Sequence, residues 1–216
     1  VLPPGGRRRR VLVATDTYFS MDGDLADLAA LRDLTRRLGA LLVLDEAHAN
    51  GVFGPEGRGL TVARGLEGQV DAVVGTFSKA FGSQGGCVAG RRDLIELLVN
   101  RARTFIYTTA PVPAACAAAL AALEICEREE GLRRRLEANV RLARSCLEAA
   151  GFDLMGSEGP ILPVLAGGTE RALELAAGLF ERGILAPAIR PPTVPRGTDR
   201  LRFTVTAAHT EEDIGR

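Results

Sequence analysis

The 216-residue sequence holds 27 lysines and arginines together, and only one of them, Lys79, is a lysine. Arginine replaces lysine well as a surface charge. It cannot replace it where a deprotonated amine must attack a carbonyl, because guanidinium stays protonated. The amine kept in "TFSKAFG" (76–82) is therefore a candidate nucleophile, and Thr76 and Ser78 put hydroxyls beside it. A second stretch, "LLVLDEAHANG" (41–51), runs four apolar residues into Asp45-Glu46-Ala47-His48. Carboxylates at that position serve one of two chemistries. A pair of them handles Mg²⁺ beside a phosphate, or a single Asp neutralises a buried cation while His48, three residues on, supplies an imidazole.

The first chemistry is that of a DEAH-type nucleoside triphosphatase. It needs a phosphate loop, GxxxxGK[ST], upstream of the acidic strand. None is visible, and the only lysine lies downstream. The formal net charge is zero, so nothing overall draws the chain to nucleic acid. This reading stays as a remote alternative. The second chemistry uses every residue named. Pyridoxal phosphate needs an amine, Lys79, and a carboxylate, Asp45, that keeps its pyridine nitrogen protonated so that the ring becomes an electron sink. It also needs a group against the ring hydroxyl, which His48 can supply, and hydroxyls for the phosphate, which Thr76 and Ser78 can supply. No ligand-spaced His or Cys set indicates a metal.

These residues need elements to position them. "RVLVATD" (10–16), "ALLVLDE" (40–46), "VDAVVGTF" (70–77) and "GGCVAG" (85–90) read as strands. The continuous apolar run of the second suits burial on both faces. Asp24 is expected to cap a helix carrying Leu25, Leu28, Leu31, Leu34 and Leu38, ended by Gly39, and a further helix covers about 92–101. Strands alternating with helices predict an α/β layer with a largely parallel sheet, whose strand C-terminal ends hold ligands. Residues 114–150 are rich in Ala, Leu, Arg and Glu and predict one long or broken helix. "ILPVLAG", a helix over about 170–182, "GILAPAI" and "DRLRFTVTAA" then read as a small α+β unit, with a domain boundary near residue 111. His209 reads as a helix-entry residue.

Hydrophobic residues at 46% and charged residues at 25% allow a real core and a water-facing surface. No apolar run is long enough to span a bilayer. Cys87, Cys116, Cys126 and Cys146 form no CxxC pair and read as buried thiols of a reducing cytoplasm. Arg7–Arg10 reads as a solvated charge run. The chain lacks an initiator Met and stops just after an apparent helix start, "HTEED", so it reads as a piece cut at both ends.

In order along the chain, "YFSMDGD", "LDEAHANGVFGPEGRG", "GTFSKAFGSQGG", "YTTAPVP" and "RPPTVPRGTDRLRFTVTAAHT" resemble the α-oxoamine synthases. These are fold-type-I pyridoxal phosphate enzymes that condense an amino acid with an acyl thioester and lose CO₂. The resemblance implies an α/β fold of the type-I transferase kind. Residues 1–110 would be the C-terminal half of a three-layer large domain, truncated here. Residues 111–216 would be a linking helix and a small α+β C-terminal domain. Lys79 matches the lysine that bonds the cofactor and removes the α-proton, Asp45 the pyridinium partner, and His48 the histidine at the ring hydroxyl. Ser20 and Thr76 match cofactor contacts, Thr193 matches a substrate contact, and Arg190 is a clamp for a substrate carboxylate.

Within the family, "AIRPPTVPRGTDRLR" is most similar to the member that joins L-alanine to a pimeloyl thioester, carried by coenzyme A or a carrier protein. Glycine C-acetyltransferase, 5-aminolevulinate synthase and serine palmitoyltransferase share the cofactor residues and remain alternatives. So does a pseudo-enzyme that uses the fold only to dimerise. The resemblance further implies a cytoplasmic homodimer acting on small molecules, with neither nucleic acid nor membrane as partner. The N-terminal part that carries the ring-stacking group in relatives is not in this sequence. The resemblance thus implies exposed sheet edges and little or no activity for these residues alone.

Overall fold

The computed structural model describes residues 10–216. Of the arginine run only Arg10, which is exposed, falls among them. The described residues divide into two compact units, one comprising the chain to Thr17 with Ala26–Arg128, the other Tyr18–Leu25 with Glu129–Arg216.

The first unit is built on a four-stranded sheet in the order β1-β2-β3-β4. β1 (Leu12–Asp16), β2 (Leu41–Asp45) and β3 (Ala72–Thr76) run parallel, and β4 (Gly86–Gly90) returns antiparallel. The largely parallel α/β layer expected from the alternation of elements is present. β1 and β2 are joined by α1 (Leu28–Leu38), and β4 is followed by α3 (Arg92–Arg101) and the short α4 (Arg103–Ile106). Between β2 and β3 lie a 3-10 turn at Pro55–Gly57 and the four-residue α2 (Leu60–Ala63). α5 (Pro113–Arg128) completes the unit.

Two local expectations differ from the structure. α1 is capped by Asp27, whose side chain accepts from the Ala30 N–H at 3.0 Å, and not by Asp24. The reason is the bridge between Tyr18 and Leu25, which holds the chain extended past Asp24. Gly39 does end the helix, in the left-handed conformation at φ 60 that glycine adopts without strain. β2 is not buried on both faces. Leu42 and Leu44 are buried, whereas Leu41 is exposed and Val43 half-buried, because the described elements cover one face more fully than the other.

The second unit carries a three-stranded antiparallel sheet in the order β5-β7-β6, from β5 (Ile161–Leu165), β6 (Ala188–Ile189) and β7 (Arg200–Thr204). α6 (Glu130–Ala149), α7 (Thr169–Glu181) and the short α8 (Glu211–Gly215) accompany it. Its core joins Ala143 of α6 to Leu154, Leu162, Val164 and Val205, with Leu136, Val140 and Phe203 packed around them. The predicted 114–150 helix is broken. Glu129 has non-helical angles, φ −100 and ψ 65, and separates α5 from α6.

The structure parts the chain after Arg128, where the sequence places the boundary near residue 111. α5 stays with the first unit because its side chains tie back to it. The Ser83 hydroxyl donates to the Ala115 carbonyl at 2.7 Å, and the Cys126 thiol lies 3.3 Å from the Glu56 carbonyl. The loop 18–25 leaves the first unit although it follows β1 directly. The buried Tyr18 hydroxyl accepts from the Ile161 N–H at 2.9 Å, and Arg200 and Arg202 of β7 hold the loop's carbonyls. The cysteines also differ from expectation. Cys87, Cys116 and Cys146 are exposed and Cys126 half-buried, since β4 is an edge strand among the described residues and the helical thiols face outward.

Candidate active site

The parallel register sets the geometry of the first unit's site. Asp16, the last residue of β1, stands opposite Asp45, the last residue of β2, and Asp45 stands opposite Val74 of β3. Residues paired in register point to the same face of a sheet, on strands about 4.8 Å apart. Two carboxylates are thereby placed side by side where an α/β sheet binds its ligands. The Asp45 side chain accepts from the Ala47 N–H at 2.8 Å, and its carbonyl accepts from the Thr17 N–H at 2.9 Å and hydroxyl at 3.2 Å. Burial pushes the Asp16 carboxyl above the usual carboxylate range, Asp45 pushes it further, and Lys79 pulls it back. Lys79 is exposed on the loop after β3.

Glu46 separates itself from Asp45. It is fully buried, and its carboxylate accepts from the Leu60 N–H at 2.8 Å and the Thr61 N–H at 2.6 Å, with the Thr61 hydroxyl as a further donor. It caps α2 from below and pins the loop that carries His48. Both oxygens of this buried carboxylate are engaged by α2, which gives Glu46 a structural role. Among the described residues no group of three His, Cys, Asp or Glu side chains could hold a metal ion. The acidic pair is thus divided between one site carboxylate and one structural carboxylate, against the triphosphatase reading.

Thr76 ends β3, and its hydroxyl lies 2.8 Å from the Ser78 hydroxyl and 3.1 Å from the Gly85 carbonyl. His48 is half-buried on the turn after β2. Asp45, His48, Thr76 and Lys79 therefore share one unit. Ser20, Arg190 and Thr193 belong to the other. There the Ser20 carbonyl accepts from Arg202 Nε at 2.5 Å, and Arg200, itself buried, pairs with Asp22. Arg190 and Thr193 are brought together across the cis Pro191–Pro192 bond by the Thr193 N–H, which donates to the Arg190 carbonyl at 3.0 Å; both are exposed. His209 precedes the α8 cap, and its Nδ1 accepts from the Thr206 N–H at 3.2 Å. The sequence reading missed Asp16, Glu46, Arg200 and Arg202. For Asp16 a signal existed, an acidic residue closing an apolar run. Arg200 and Arg202 alternate with apolar residues in a strand, which marks one polar face but not its partner.

The donor set fits pyridoxal phosphate. A strand-end carboxylate, Asp45, suits a protonated pyridine, the lysine on the loop after the paired strand β3 supplies an amine, and the adjacent Thr76 and Ser78 hydroxyls suit a phosphate.

Comparison with known proteins decides the family. Residues 3–216 match the family described as aminotransferase class I and II. The chain belongs to that family. Among curated relatives it is 53% identical over 208 residues to the 8-amino-7-oxononanoate synthase of Anaeromyxobacter dehalogenans, covering 96% of this chain and 52% of the relative. It is 49% identical over 210 residues to that of Geobacter metallireducens, covering 96% and 54%. Among solved structures it superposes on the serine palmitoyltransferase of Sphingomonas wittichii with a TM-score of 0.90 at 33% identity, over 94% of this chain and 52% of that one. It superposes on the 8-amino-7-oxononanoate synthase of Francisella tularensis with a TM-score of 0.82 at 28% identity, over 95% and 60%. A further neighbour, with a TM-score of 0.90 at 35% identity, is an S. paucimobilis serine palmitoyltransferase with a bound PLP-myriocin aldimine, over 94% and 52%. The expected α/β fold of the type-I transferases and the α-oxoamine synthase resemblance both hold. The chain spans about half the length of the curated relatives it matches. Among the described residues no helix is long and apolar enough to cross a membrane.

Proposed function

We propose that the protein carrying this chain is a pyridoxal-phosphate-dependent acyltransferase. It condenses L-alanine with a pimeloyl thioester and releases 8-amino-7-oxononanoate, CO₂ and the free thiol, a step of biotin biosynthesis. The observation that carries the reading is the match to curated 8-amino-7-oxononanoate synthases, about half identical, in a chain whose sole lysine follows β3, the strand paired with the one that ends in Asp45.

Bound pyridoxal phosphate supplies the electron sink. The chain's own residues do the rest. Lys79 Nζ would hold the cofactor and would serve as the base for the substrate's α-proton. Asp45, at the end of β2, would face the ring nitrogen. His48 would stand against the ring hydroxyl, and Thr76 with Ser78 would hold the phosphate. By resemblance, Ser20 would be a cofactor contact, Arg190 a clamp for a substrate carboxylate and Thr193 a substrate contact. The working protein is a cytoplasmic homodimer on this reading.

Borohydride reduction of the pyridoxal-phosphate-loaded full-length protein is expected to label the peptide containing Lys79, and L-alanine added first is expected to prevent it. Lys79→Arg keeps the charge and should lower turnover roughly 10³-fold or more. Label elsewhere, or substantial turnover in that variant, overturns the assignment. Serine palmitoyltransferase chemistry is the second reading, favoured by the structural neighbours, and an assay with L-serine and a long-chain thioester separates the two.

A further inference from the structure

The loop that carries Lys79 is seated on the turn that follows His48, and the seat has no side chain. Gly51 has φ 79, and a Cβ there would meet the Ala80 Cβ at 2.7 Å and the Phe81 ring at 3.6 Å. The residue next to the lysine therefore leaves no room for a side chain at position 51. A displacement of Ala80 is passed on to Lys79. The Phe77 N–H donates to the Gly85 carbonyl at 2.9 Å, the Gly82 N–H to the Lys79 carbonyl at 3.0 Å and the Ser83 N–H to the Phe77 carbonyl at 2.7 Å, which closes residues 77–85 into one small loop. The Phe77 and Phe81 rings pair within it, with centroids 6.0 Å apart. The turn at Gly51 is the less yielding partner. Its N–H donates to the Gly57 carbonyl at 2.8 Å, and a Cβ at Gly57 would meet Gly51 Cα at 3.0 Å and Cys126 Sγ at 2.5 Å, so it is packed through Gly57 onto α5. Ala80 and Lys79 are exposed. A carbon added at position 51 would accordingly move the lysine loop.

We propose that Gly51 is a positioning residue for Lys79: it offers Ala80 a seat without a side chain, and this contact fixes the lysine loop against the turn that follows Asp45 and His48. The amine is then held in one place before the cofactor arrives, which spares the cost of ordering it later. The inference rests on the reading of Lys79 given under Proposed function.

The test is the rate at which the full-length protein, mixed with pyridoxal phosphate, acquires a borohydride-trapped label at Lys79, with the urea midpoint of each variant measured alongside. Gly51→Ala should slow labelling by about 10²-fold. Alanine at position 51 also strains a positive φ, and a second substitution separates strain from contact. Ala80→Gly removes the atom that the new Cβ would strike and leaves the strain in place, so the double variant should recover most of the lost rate. A double variant as slow as Gly51→Ala overturns the inference, because strain alone then explains the loss. So does a lower urea midpoint with an unchanged labelling rate, because that makes the role structural. Should Gly51→Ala not fold, Ala80→Val enlarges the contact from the other side with Gly51 intact. It should slow labelling likewise, and an unchanged rate overturns the inference. A wild-type protein that takes no label at Lys79 fails the earlier reading instead. Deuterium exchange of the 77–85 amides without cofactor then decides the contact: faster in Gly51→Ala and restored in the double variant if it holds, equal in all variants if it does not.

Discussion

At the scale of single residues, the second unit depends on Tyr18. It is 1% exposed, and its hydroxyl accepts from the buried Ile161 N–H. Burial pushes the phenol up from 10.0 to about 12, against the pull of that hydrogen bond and of Arg202 and Arg144. The folded state therefore favours the neutral phenol. Its contribution is full below the ordinary value near 10 and is lost as pH rises toward 12. Tyr18→Phe leaves the Ile161 N–H without its acceptor and should cost about 1–3 kcal/mol near neutral pH. The loss should show as a lower urea midpoint, and the variant's stability should fall less steeply than the wild type's in the alkaline range. An alkaline slope unchanged by the substitution would show that another group titrates there.

At the scale of elements, the strands and helices were largely legible because their periodicity is a property of the residues themselves. β1, β2, β3 and β4 follow from short apolar runs, and α7 follows from its stripe. The end of β2 was legible as a chemical site because Asp45, His48 and Lys79 have types that surfaces seldom require at those places. What stayed hidden depends on pairing. That Asp16 stands opposite Asp45 is a fact of register. That Glu46 turns inward to α2 depends on a loop fourteen residues away. That the loop 18–25 joins the second unit depends on arginines nearly 180 residues downstream. Gly59 tests the Glu46 element directly. It has φ 92, and a Cβ there would meet Glu46 Oε2 at 2.1 Å. Gly59→Ala should therefore destabilise by about 2–3 kcal/mol, from backbone strain and displacement of the capping carboxylate. Combined with Glu46→Gln, whose target is the same cap, the losses should sum to less than their separate values. Strict additivity in a double-mutant cycle would show that the two do not act on one cap.

At the scale of the whole molecule, the described residues expose a number of large apolar side chains. Within the first unit Phe105, Tyr107, Val112 and Leu120 are all 60% exposed or more, on or between α4 and α5. Apolar area gathered on consecutive elements marks a surface that something covers. The curated relatives are about twice as long as the part matched here. On the proposed function these side chains are covered by other parts of a full-length homodimer. The 216 residues expressed alone should then bind an apolar fluorescent dye and associate with rising concentration, and should show little or no condensation activity. The full-length protein should bind little dye and sediment as one species of twice the subunit mass. Phe105→Ser with Tyr107→Ser in the isolated chain should lower dye binding without altering its helix content. Equal dye binding by the isolated chain and the full-length protein would mean that these side chains remain in water in the working enzyme. Their cover would then have to be sought in a partner of different chemistry.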